Sequence, residues 1–131
     1  ADQNNLIDLA ARCLLIEDGN RLILIDNGMG NKQSEKFFGY YSLWGTHSLD
    51  KSLAKFGFHR DDITDVFLTH LHFDHCGGSV QWNKDKTGYE PAFKNAKVVY
   101  SVYDDNFDNK IFLLLLLYII NIYINICINI I

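Results

Sequence analysis

The densest run of potential metal donors in this chain is Thr69-His70-Leu71-His72-Phe73-Asp74-His75-Cys76-Gly77-Gly78. His70 and His72 are two residues apart, so on an extended backbone both imidazoles point the same way and can grip one cation. Asp74 and His75 follow where the chain turns, and they can face a second cation beside the first. Neutral imidazole suits zinc and similar borderline ions, and a carboxylate compensates charge. The spacing His-X-His-X-Asp-His therefore reads as one shared binuclear site. With 5 His among 131 residues, such a spacing arises by chance in roughly 7 of 10,000 chains, so coincidence is a weak explanation. A structural zinc site is disfavoured too, because those are usually closed by four strong ligands, often cysteines.

The chemistry follows from the charges. Two cations about 3.5 to 4 Å apart can bring the pKa of a water toward neutrality and polarise a carbonyl or phosphoryl oxygen. Asp74 is the candidate catalytic residue, placed to orient that water and to pass a proton to the leaving group. The expected reaction is hydrolysis of an ester, lactone, amide or phosphoester in a small-molecule substrate.

Such a site needs elements that deliver it. Val66-Phe67-Leu68-Thr69 is a short apolar run ending in a hydroxyl, the pattern of a strand buried on both faces, and it feeds directly into His70. Upstream, residues 9 to 16 and 21 to 26 flank Glu17-Asp18-Gly19-Asn20, which predicts a β-hairpin. Residues 27 to 46 predict a long loop with one helical turn near Ser34 to Phe38. Leu49, Leu53 and Phe56 fall at i, i+4 and i+7, with Thr46 or Ser48 as cap and Gly57 as stop, so a two-turn amphipathic helix is expected. Downstream come a short helix around Ser79 to Trp82, a polar turn with Gly88 and Pro91, and a strand around Ala96 to Ser101. That mixed order favours an α/β arrangement with helices layered on sheet.

On these residues the chain resembles the metallo-β-lactamase-fold hydrolases. The resemblance covers most of residues 6 to 103: the hairpin, Asp26 with Gly28 at a strand end, the approach Ile63-Thr64-Asp65-Val66-Phe67-Leu68-Thr69, and then HLHFDHCGG. The HLHFDH form with its Gly-Gly looks most like the lactonase and organophosphate-hydrolase-like branch. The resemblance implies an αββα sandwich (α/β, or α+β) and two zinc ions, with His70 and His72 on the first and Asp74 and His75 on the second. That family adds a further His, a bridging Asp and a last His downstream. Here no His follows His75, and the only later aspartates are Asp85, Asp104, Asp105 and Asp108. The resemblance therefore implies a truncated domain: residues 1–108 as its N-terminal part, and 109–131 as an atypical uncharged tail rich in Ile, Leu and Asn. A catalytically silent fragment of such a hydrolase is the alternative.

Other candidates carry plainer readings. Asp26 is expected to support the site through its carboxylate, the competing role being that of a turn-initiating Asp. Cys76 is expected to pack, and His47 and His59 to be surface histidines. Tyr40, Tyr41 and Trp44 either line an apolar substrate pocket or pack within their loop.

Composition excludes several classes. Twelve Lys plus Arg against 16 Asp plus Glu give a net charge of -4 with no basic cluster, so no nucleic acid is expected. Cys13, Cys76 and Cys127 make neither a disulfide framework nor a cysteine zinc knuckle. No basic-apolar signal segment is visible at the N-terminus, so a cytoplasmic location is expected. Residues 111 to 131 carry no charge. They are long enough to span a bilayer, they also alternate as a strand would, and their residue types are those of AT-rich codons, as in out-of-frame translation. Membrane attachment through 111–131 is the weaker reading.

Overall fold

The computed structural model of the protein describes Gln3, residues 7–100 and the backbone of residues 128–130. The hairpin forms as β1 (Leu14–Asp18) and β2 (Arg21–Ile25), antiparallel with Leu14 opposite Ile25 and Asp18 opposite Arg21. Residues 9 to 13, expected in the first strand, lie outside it. Alternation sends Leu22 and Leu24 of β2 into the core and leaves Arg21 exposed.

Ser34 caps α1 (Glu35–Gly39) by accepting from the Phe37 N–H, and Ser48 caps α2 (Leu49–Lys55) by accepting from the Lys51 N–H. Both caps satisfy amide donors that a helix's first turn leaves unpaired. Gly57 ends the second segment with φ 81°, a conformation that costs glycine little. Leu53 projects from α2 into the core, fully buried.

The chain then enters β3 (Asp65–Leu68) by way of a 3-10 turn at Arg60–Asp62. β3 pairs in parallel with β2, and β6 (Lys97–Tyr100) pairs in parallel with β3. With β7 (Ile128–Ile130) added to β1, the sheet order is β6-β3-β2-β1-β7. The expected burial of β3 on both faces is corrected: Val66 and Leu68 are buried, whereas Asp65 and Phe67 are only half-buried. The core cluster joins Cys13, Leu15, Leu22, Leu24, Leu53, Ile63, Val66, Leu68, Ala92 and Phe93.

The segment after the metal motif differs from expectation. Gly77–Ser79 is a 3-10 turn, Val80–Trp82 is β4, and Tyr89–Pro91, expected as a turn, is β5. The hairpin is held by cross-strand pairs: Gln81 donates to Glu90 at 3.0 Å, and the Trp82 and Tyr89 rings stack with centroids 4.3 Å apart. Strands of three residues are too short to show a period, and their pairing partners are what stabilise them. No described helix is long and apolar enough to cross a membrane. The readings of the 109–131 tail fall outside the described residues, apart from the backbone of β7.

Candidate metal centre

Two parallel strands bring the parts of the site together. Ile25 at the end of β2 pairs with Phe67 of β3, so Asp26 and Thr69 leave the sheet side by side at its carboxyl edge, the customary ligand side of parallel sheets. The Asp26 N–H donates to the Phe67 carbonyl at 2.8 Å, and the Thr69 N–H donates to Asp26 Oδ1 at 2.8 Å. Asp26 holds φ 57°, a left-handed conformation that costs a non-glycine residue roughly 1–2 kcal/mol. The return is a carboxylate aimed back across β3, where His75 Nδ1 lies 2.7 Å from Oδ2. A carboxylate on the outer ring nitrogen of a histidine fixes its orientation and leaves the other nitrogen for a metal.

His70 follows β3 directly, and His72, with extended backbone, opens a single helical turn, α3 (Phe73–Cys76). His70 Nε2 lies 3.1 Å from His72 Nδ1. Two nitrogens bound to one tetrahedral zinc are about 3.3 Å apart, given bonds near 2.0–2.1 Å. The facing nitrogens thus stand close to the edge of a zinc tetrahedron. His75 Nε2 and Asp74 Oδ2 form a second pair at 3.6 Å. The His70 and His75 rings are 4.0 Å apart at their centroids, so the two pairs adjoin. All four candidate ligands gather at the end of β3. Among the described residues no group of three or more His, Cys, Asp or Glu side chains is disposed to hold a metal. The candidate donors stand as two adjoining pairs.

The scaffold behind the pairs is backbone against backbone. The Asn27 N–H donates to the His75 carbonyl at 2.8 Å, and the Gly78 N–H donates to the Gly28 carbonyl at 2.9 Å. A Cβ on Gly77 would collide with the Met29 carbonyl, and one on Gly78 with the Asn27 carbonyl. Only glycine permits this approach. Lys32 Nζ donates to the Gly77 carbonyl. Arg60, which the sequence did not single out, pairs with Asp50, reaches the Gly78 carbonyl at 3.4 Å and lies 5.2 Å above the Phe93 ring. Its one sequence signal is a basic residue in a polar connection, which commonly means a solvated surface.

Phe37 and Tyr41 pack on Phe73 with ring centroids 5.2 and 4.9 Å away, so the segment after β2 reaches the metal motif through Tyr41, one of the residues expected, and through Phe37, which was not. Tyr41 is part of that wall, while Tyr40 and Trp44 are largely exposed. Cys76 packs against the core, and His47 and His59 are exposed, with His59 Nδ1 accepting from the Asp61 N–H as a cap. Burial pushes the Cys13 thiol up to about 11, reinforced by the Asp26 charge and opposed by that of Arg60.

Residues 6–86 match the family model of the metallo-beta-lactamase superfamily. Among solved structures, a probable metal-dependent hydrolase from Staphylococcus aureus is 29% identical, with a TM-score of 0.66, over 85% of this chain and 38% of that one. AidC, described as a dizinc quorum-quenching lactonase, is 40% identical with a TM-score of 0.48, over 66% of this chain and 24% of that one. A hydrolase in the beta lactamase superfamily, AbOPH, is 29% identical with a TM-score of 0.43, over 64% and 24%. The chain thus spans between 24% and 38% of the length of these structures. Comparison with curated proteins yields no match.

Proposed function

The chain belongs to the metallo-beta-lactamase superfamily, and on that premise we propose that His70, His72, Asp74 and His75 are the ligands of a zinc-dependent hydrolytic site acting on a small ester, lactone, amide or phosphoester. The observation that carries this reading is the separation of the facing nitrogens of His70 and His72, 3.1 Å, near the edge length of a zinc tetrahedron. Zinc bound by the two pairs would lower the pKa of a water and polarise the scissile oxygen. His70 and His72 would hold one ion, Asp74 and His75 the other. Asp26 keeps the His75 ring aimed through Nδ1. Asp74 orients the attacking water and carries its proton to the leaving group. Phe37, Tyr41 and Phe73 offer an apolar wall beside the motif, which favours substrates with a hydrocarbon portion and hence the lactonase-like branch.

A second reading, a metal-binding chain without turnover, is favoured by the pairs themselves. A catalytic zinc commonly takes three protein ligands plus water, and among the described residues the candidate donors stand only two together. The test is to load the 131-residue chain with zinc and to measure bound metal together with hydrolysis of a lactone, a β-lactam and a phosphodiester. We expect zinc binding and weak, zinc-dependent turnover, both lost in His72→Ala. His72 makes no capping hydrogen bond with its side chain, so that change leaves α3 intact. Robust turnover would show that further ligands exist; unchanged metal content and turnover in His72→Ala would remove the assigned site.

A further inference from the structure

We propose that Thr69 is a positioning residue that sets the proton of His70, a role that rests on the hydrolytic reading of the site. Thr69 Oγ1 lies 2.8 Å from Asp26 Oδ2 and 3.0 Å from Oδ1. It also lies 3.1 Å from His70 Nδ1, and farther, at 3.4 Å, from His75 Nδ1. A hydroxyl has one proton to give and two lone pairs, whereas an ionised carboxylate can only accept. The Thr69 proton therefore goes to Asp26. That leaves Oγ1 an acceptor toward His70, so His70 Nδ1 carries a proton.

A neutral imidazole carries one N–H. His70 Nε2 is then bare, and it is this nitrogen that faces His72. The same logic applies to His75: its Nδ1 donates to Asp26, which leaves Nε2 bare opposite Asp74. Imidazole must present a bare nitrogen to bind metal. One hydroxyl and one carboxylate thus prepare one imidazole in each of the two ligand pairs. The chain of donors runs His70 Nδ1–H to Thr69, Thr69 O–H to Asp26, and His75 Nδ1–H to Asp26. Without the hydroxyl the Nδ1 proton of His70 loses its acceptor, and either nitrogen of that ring can carry it.

The test compares the wild-type chain with Thr69→Val and Thr69→Ser. Valine keeps the shape and the backbone N–H bond to Asp26 but lacks the hydroxyl; serine keeps the hydroxyl. Long-range proton–nitrogen NMR of the metal-free chains, at a pH above the ordinary imidazole value of about 6.5, reports which ring nitrogen carries hydrogen. We expect His70 as the Nδ1–H form in wild type and Thr69→Ser, and a mixture in Thr69→Val. Zinc affinity, measured by competition with a chromophoric chelator, should fall about tenfold or more in Thr69→Val alone. His70 protonated on Nε2 in the wild type overturns the proposal, whether or not Thr69→Val folds. So does a valine variant that matches serine in both tautomer and affinity. If the wild type takes up no zinc, the hydrolytic reading fails, and the tautomers alone uphold or overturn the assignment to Thr69.

Discussion

Asp26 combines a strained backbone with a fully engaged carboxylate, and the two belong together: the positive φ turns the side chain back over β3. The sequence showed an Asp before Asn-Gly, which suits both a turn and a supporting role, and only the contact with Thr69, 43 positions away, decides between them. Asp26 also acts on Cys13, whose buried thiol is pushed up to about 11 from the ordinary 9.0. The folded state therefore holds that proton more tightly than the unfolded chain. The resulting stability is fully present below pH 9.0 and is lost as the pH rises through about 11. Denaturant midpoints taken across that window should fall in the wild type more steeply than in Cys13→Ala. Parallel declines in the two proteins would show that the thiol is not the group responsible.

At the level of elements, the site rests on a parallel pair of strands and on a backbone clasp between the loop after β2 and the turn after α3. Gly77 has an ordinary helical φ of -60°, so conformational freedom does not explain it. The Met29 carbonyl that a Cβ would strike does. Gly77→Ala should destabilise by about 1–3 kcal/mol or more through overpacking. Gly39, at the end of α1, has nothing within 4 Å of the position a Cβ would take, so it should tolerate alanine or gain about 0.5–1 kcal/mol. Thermal unfolding of both variants checks the contrast, and equal effects would contradict the clasp. The elements legible in the sequence were those encoded locally: the Asp-Gly hairpin, the Ser48 cap with Leu49 and Leu53, and the apolar run into His70. The β4-β5 hairpin and the 3-10 turn at Gly77 depend on cross-strand partners and on Met29, which no local period records.

On the scale of the molecule, residues 7–100 bring two pairs of candidate ligands to one edge of the sheet, and the chain spans 38% of the Staphylococcus aureus hydrolase whose fold it shares. The motif's membership of one locus was legible because all four candidate ligands lie within six residues, where local geometry dominates. The groups around them were legible only in part: a supporting role was expected of Asp26, but its contact with His75 is tertiary, and Arg60, which reaches the Gly78 carbonyl at 3.4 Å, carried no such signal. If the two donor pairs among the described residues are all that bind, they should hold zinc less tightly than the three or four ligands of complete sites. The central claim is that this edge binds metal through three of the five histidines. It is tested most directly by titrating the full 131-residue chain with zinc while following every imidazole by proton–nitrogen NMR. The account predicts that His70, His72 and His75 shift together, on the ring nitrogens Nε2, Nδ1 and Nε2, while His47 and His59 stay still. Shifts confined to His47 or His59, or spread evenly over all five, would contradict it.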